Sequence, residues 1–315
     1  MAYTFSKMRP RNLVQKSAAE RLALAALRAF LDPEEPELVA LLVRLWHHQG
    51  RAITYKQLRE AIIYGDLSVI EWEQWQQDYV KFVTLYLRPK YVEAMQAAAE
   101  EIQRRHPDWY FDPYAEGVLE WCETRAASFV TEVTAAQVDG LRTVIQRAAV
   151  IQDMSVDSLS RVIRPMVGLT KPQATANLKY YQKLIEDGMS QKKARDKAIR
   201  YASRQHRYRG YNIARTELAF AYNQGSYEGT KQAQAKGYMG ETVKVWCTAD
   251  DERVCQICGA LEGSQVAMDE DFDFDTRLAG SANPTIRRVP PAHPSCRCAV
   301  IYKEISPPDY GIPTV

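Results

Sequence analysis

Apolar residues along the first half of the chain fall at helical spacing. They are broken at intervals by capping residues, prolines and glycines, with no convincing strand alternation. Ser17-Ala-Ala-Glu20, Thr54-Tyr-Lys-Gln57 and Ser68-Val-Ile-Glu71 each place a hydroxyl three residues ahead of an acid or amide. In that arrangement the hydroxyl accepts from the later backbone N–H and the acid or amide reaches back, so each marks a helix start. The first predicted helix runs to about Leu31, before Asp32-Pro33, and Pro36 opens a second that ends at Gly50. A long helix spans about Val69 to His106, and Pro89 should kink or split it by removing a ladder donor. Two more follow, Tyr114 to about Val130 behind Asp112-Pro113, and roughly Ala135 to Asp153. Trp46, Trp72, Trp75, Trp109 and Trp121 fall in or beside these helices and read as core.

At Ser155 the character changes. Val156 to Arg164 is a short helix, and Thr170-Lys-Pro-Gln173 opens another with a stripe of Tyr180, Tyr181, Leu184 and Ile185. Gly188-Met-Ser190 breaks it, and Ser190 starts a basic helix that ends near Gly210. A further helix runs from Tyr211 to about Ala235. Thr242 to Thr248 is the clearest strand, with Val243, Val245 and Cys247 on one face, and Ala299 to Tyr302 is another. The expected fold is mainly α. It has an N-terminal helical domain (1–154), a helical core with the basic helix (155–240), a small zinc-stabilised β module (241–303) and an extended proline-rich tail (304–315).

Composition alters this picture little. The apolar stretch Leu22 to Leu31 carries Arg28 inside it and Glu20-Arg21 at its start, which fits an amphipathic helix better than a targeting segment or membrane span. A chain made in the cytosol, with reduced thiols, is expected. Charge distribution matters more. Residues 160–240 hold 16 Lys and Arg against 5 Asp and Glu, a net +11, between flanks at −4 and −5. Such a block points to a polyanionic partner. Lys192, Lys193, Arg195, Lys197, Arg200, Arg204, Arg207 and Arg209 are its candidate DNA-binding residues, opposed in that helix by Asp196 alone. With no base-reading motif or aromatic-interleaved groove in view, contact to double-stranded DNA should be non-specific. His206, on the same helix, reads as polar surface.

The chain has five histidines and six cysteines, and five of these eleven crowd into two short stretches, Cys255-Gln-Ile-Cys258 and His293-Pro-Ser-Cys-Arg-Cys298. Two thiolates three positions apart can hold one ion while turn N–H groups donate to the sulfurs; Gly259 would supply a left-handed turn. Tetrahedral zinc takes four ligands and five are offered. Cys255, Cys258 and Cys296 are three of them, and His293 and Cys298 compete for the fourth place. A site with four protein ligands leaves no open position for water, so the expected Zn2+ is structural and supplies folding energy. Cys122 and Cys247 read as small apolar fillers. Asp269 to Asp275 places five acids in seven positions; Asp271, Asp273 and Asp275 imitate the start of a calcium loop. Thr276 and Ala282 stand where its glycine and closing glutamate belong, so a solvated acidic loop is expected.

Three elements stand in order: Ile213-Ala-Arg-Thr-Glu217 with Asn223 and Gly225; Trp246, then Asp250 to Cys258 and Leu261-Glu-Gly263; and Pro290 to Cys298. This succession, with Gly168-Leu-Thr170 and the basic helix before it, resembles the phage head-morphogenesis family, minor head proteins similar to protein F of phage Mu. The resemblance covers about residues 155–303. It implies a non-enzymatic virion component inside the phage head at the portal vertex, assembled in the host cytoplasm. It also implies the portal protein as partner, possible contact with scaffold or major capsid protein, and a role in DNA packaging or ejection. Arg215 and Glu217, two apart, face different ways and should anchor their helix to Asp251 and Arg253. The alternative is a zinc-dependent nuclease or hydrolase acting on nucleic acid, which needs a free general base and exchangeable metal ligands.

Overall fold

The computed structural model describes residues 16–65, 67–68, 70, 72–151, 154–249, 251, 254–273 and 288–308. Helices α1 (Ala18–Ala52), α2 (Tyr55–Tyr64) and α3 (Trp72–Phe82) lead through a π-helical stretch (Val83–Leu87) into α4 (Arg88–Arg105). Then come α5 (Glu116–Ala149), α6 (Val156–Ile163), a 3-10 turn (Arg164–Met166), α7 (Lys171–Glu186) and α8 (Gln191–Ala235). The last part holds β1 (Thr242–Cys247), α9 (Gln256–Leu261), β2 (Gln265–Ala267) and β3 (Ala299–Glu304). The chain is mainly helical with a small C-terminal strand region, as the periodicity predicts.

Helix starts follow the capping signatures. Ser17 Oγ accepts from Glu20 N at 3.2 Å while Ser17 N donates to the Glu20 carboxylate at 2.6 Å. Thr54 and Thr170 form the same reciprocal boxes with Gln57 and Gln173. Glu71, the partner expected for Ser68, lies outside the described residues.

Three predicted breaks do not occur. Helix α1 continues through Pro33 and Pro36, with Leu27 and Leu31 buried before them and Leu38, Val39 and Leu42 after. Two lost ladder bonds are a small cost beside that burial. Helix α5 runs unbroken through Val130-Thr-Glu-Val-Thr134, whose Val130 and Val133 are buried, so packing overrides weak helix propensity. Gly210 sits inside α8 because it packs on Val39: a Cβ there would lie 3.1 Å from a valine methyl. Pro89 does split its helix as expected. It is the second residue of α4, and the π-helical stretch before it opens the ladder where the N–H is missing.

The chain forms two compact units, one of Pro36–Leu87 with Thr124–Tyr211, the other of Ala2–Glu35, Arg88–Glu123 and Asn212–Val315. Helices α1, α5 and α8 contribute to both, so the unit boundaries do not coincide with the expected ends at 154 and 240. In the first unit Leu58, Trp75, Val144, Ile163, Leu178 and Tyr181 belong to one core. Beside Trp46, Gly168 adopts φ 93 where a Cβ would meet the indole at 2.4 Å, so only glycine fits. In the second unit, Gly225 of α8 crosses α4 so closely that a Cβ would lie 2.2 Å from Met95 Cα. There too the antiparallel sheet, in the order β2-β1-β3, packs Trp246 edge-on to Phe272, with Tyr227 of α8, Leu261 and Val300 in the same core.

Candidate metal centre

Both metal-ligand turns belong to the second unit, and each is built by local hydrogen bonds. Cys255 caps α9, its sulfur accepting from Cys258 N at 3.4 Å. The turn is helical throughout: Gly259 N bonds Cys255 O at 2.9 Å, so the left-handed glycine expected at 259 is not needed. The left-handed residue is instead Ser295 (φ 59), between His293 and Cys296. Helix α8 holds it there, since Ser295 N donates to Thr216 Oγ1 at 2.9 Å and Ser295 Oγ to Asn212 Oδ1 at 2.8 Å. Asn223, further along α8, accepts from Val300 N at 3.0 Å and donates to Cys298 O at 3.3 Å. Asn212, Thr216 and Asn223 therefore dock the second turn, a role the sequence reading missed. Asn223 stood in the quoted motif, and its polarity on a helix that is otherwise buried there was the available clue.

All five candidate ligands converge. Cys255, Cys258 and His293 form one group and Cys258, Cys296 and Cys298 a second, with the donor atoms of each within 4.8 Å of one another. His293 Nε2 lies 3.1 Å from Cys255 Sγ and 3.2 Å from Cys258 Sγ. Cys258 and Cys296 sulfurs are 3.6 Å apart, close to the ~3.8 Å edge that four ~2.3 Å metal–sulfur bonds would give a tetrahedron. These residues could hold one metal ion. Their protonation alternates around Cys258. Its hydrogen bond holds Cys255 down at about 4, and bonds from Cys258 and Cys298 hold Cys296 well below the usual thiol range. Cys258 itself is pushed up, first by that bond to Cys255 and then by Cys296. Burial acts against a charged His293, but the bond to Cys255 and the negative charges of Cys296 and Cys255 win and raise it to about 9.

The other cysteines match the filler reading. Burial raises Cys122 to about 11 and Cys247 to about 12, leaving both as inert thiols. Asp269, Glu270, Asp271 and Asp273 are exposed, and Asp271 pairs with Arg288 at 3.1 Å. Asp275, Thr276 and Ala282 lie outside the described residues. Phe272, set among those acids, is buried, and Lys244 is buried with it, its Nζ donating to the carbonyls of Glu270 and Arg288.

Among the described residues the expected anchor residues have these contacts. Arg215 forks onto the buried Glu35 with two 2.7 Å bonds, Tyr91 OH donates to Glu217 at 2.6 Å, and Asp251 receives Arg297. Arg253 lies outside the described residues.

In the first unit, Lys192, Lys193, Lys197, Arg200, Arg204 and Arg207 are exposed on α8, and Arg195 is half-buried beside Asp196. Arg209 departs from the expectation. It is buried, its guanidinium 5.0 Å from the Trp46 ring and donating to Gly168 O and Val133 O, so it is a core cation and no part of a DNA face. His206 is likewise buried, not polar surface; it stacks on Trp46 and bonds Val167 O at 2.8 Å.

Residues 159–301 match the family described as Phage Mu protein F like protein. That span begins in α6, includes the basic helix and both ligand turns, and ends in β3, so the resemblance drawn from the motifs holds across it. The match supports the class of phage head-morphogenesis proteins, which are virion components that interact with other head components. No curated protein and no solved structure matches the chain. Among the described residues no helix is long and apolar enough to cross a membrane.

Proposed function

We propose that the chain is a portal-associated minor head protein acting in head assembly and in DNA packaging or ejection, with a structural Zn2+ centre and non-specific contact to double-stranded DNA. The match over residues 159–301 carries this reading, because it includes both the basic helix and the metal-ligand turns. Cys255, Cys258, Cys296 and His293 are the ligands proposed. His293 Nδ1 lies 2.9 Å from Pro294 O, a contact that keeps a proton on that nitrogen and turns Nε2 toward the sulfurs of Cys255 and Cys258, where it would exchange its proton for a metal ion. Cys298, whose carbonyl Asn223 holds and whose sulfur lies within 4.8 Å of those of Cys258 and Cys296, is the alternative fourth ligand. Zinc supplies charge neutralisation and folding energy here, with no catalytic step.

Lys193, Lys197, Arg200, Arg204 and Arg207 are spaced four, three, four and three, so they share one exposed face, about 21 Å long at ~1.5 Å per residue. Such a row can neutralise successive phosphates without reading bases. For a nuclease the only histidine candidate outside the metal cluster was His206, and its burial removes it as a base. Co-expression with a phage portal protein, followed by size-exclusion chromatography, tests the central reading. Co-elution is expected, and separate elution at micromolar concentration would count decisively against it.

A further inference from the structure

Helices α7 and α8 of the first unit enclose an open cleft of about 310 Å3, lined by Ala176, Lys179, Tyr180, Lys183, Tyr201 and Arg204. Tyr180 and Tyr201 meet edge to face with centroids 5.2 Å apart, and the Arg204 guanidinium lies 5.7 Å from the Tyr201 ring. Both rings are half-buried, while Lys179, Lys183 and Arg204 are exposed and have no carboxylate partner among the described residues. Lys179 also lines an adjoining depression of about 460 Å3 that carries Arg147 and Gln182, so the basic lining continues past the tyrosines. Arg204 in turn belongs to the exposed basic face of α8.

Three exposed cations with no carboxylate partner among the described residues, set around two aromatic rings, suit a ligand that offers anionic groups and a flat π-face together. A duplex offers phosphates but keeps its bases stacked inside, out of reach of rings set in a cleft. An acidic protein surface would satisfy the cations and leave the rings without a partner. A single strand offers both, and base–aromatic stacking beside a basic groove is how single strands are held without sequence preference. We propose that this cleft binds single-stranded DNA, seating an unstacked base against Tyr180 and Tyr201 with flanking phosphates on Lys179, Lys183 and Arg204. This deepens the DNA contact proposed above and rests on it.

The test is fluorescence anisotropy of the full chain with labelled dT20 and a 20-base-pair duplex at one salt concentration. Tyr180→Leu with Tyr201→Leu keeps apolar bulk between the helices and should weaken dT20 binding about tenfold, the loss of one stacked base, with duplex affinity within about twofold. Lys197→Glu with Arg200→Glu, outside the cleft, should instead weaken the duplex strongly. If circular dichroism shows the tyrosine variant unfolded, Lys179→Gln with Lys183→Gln at exposed positions replaces it, again with the larger loss expected on dT20. Equal losses on both ligands, or an unchanged dT20 affinity, overturn the cleft and leave the duplex reading standing. Absence of binding to either nucleic acid by the unaltered chain overturns both and turns the basic face toward an acidic protein.

Discussion

Asn223 shows how much one side chain can decide. Its amide bonds both Cys298 O and Val300 N, two backbone groups with no solvent to replace it. Asn223→Ala should cost about 2–6 kcal/mol in urea denaturation, since each of the two orphaned buried groups costs about 1–3. His206 is a second case. Burial, reinforced by the positive charges of His47 and Arg209 and opposed by its bond to Val167 O, pushes it down to about 4. The fold therefore holds the ring neutral. As pH falls from about 6.5 to 4 the unfolded chain takes up a proton that the folded chain refuses, and stability is lost through that window. Wild type should lose about 3 kcal/mol more than His206→Gln between pH 7 and pH 4, at about 1.4 kcal/mol per pKa unit. Parallel pH curves for the two would show that the ring titrates normally. Arg209 illustrates what residue type cannot reveal. Its charge and its place in a basic run match Arg207 two positions before it, but about 200° around the helix turns it inward onto Trp46.

At the scale of elements, caps were legible and interruptions only in part, as at Gly188 between α7 and α8. A capping box is a contact between residues three apart, so Ser17, Thr54 and Thr170 announce their helices locally. Whether a proline or glycine ends a helix depends on what lies across from it, which adjacent residues do not record. Gly210 was read as a stop and is a contact point against Val39. Gly225 plays the same part on α4. Gly225→Ala would drive a methyl into the Met95 backbone, which cannot rotate away, and should destabilise by about 3 kcal/mol or more, read as a lower urea midpoint with unchanged slope. The single helix α8 that results carries an exposed basic face in one stretch and, further on, the asparagines and threonine that dock the second ligand turn.

For the whole molecule, the proposed ion joins turns that lie far apart in sequence and share one small core with Trp246 and Phe272. Elemental analysis should find about one equivalent of zinc. Stripping it with a strong chelator should lower the melting temperature and expose the Trp246 indole, seen as a red shift in emission. Full stability in the stripped protein would make the cluster a set of packed thiols. Match and geometry meet here: the residues that fit the family are those that build both the basic face and the cluster.

The sequence by itself determined the helical class, the helix starts, the uneven charge and the five candidate ligands. Each of these is written in residue type and short spacing. Only the tertiary structure decided that α8 is one helix, that Arg209 and His206 face inward, and that Tyr180 and Tyr201 meet in a basic cleft. It also decided that Asn212, Thr216 and Asn223 hold the second turn. The reason is the same in each case: these outcomes depend on contacts between segments distant along the chain, and local periodicity carries no record of which face meets which.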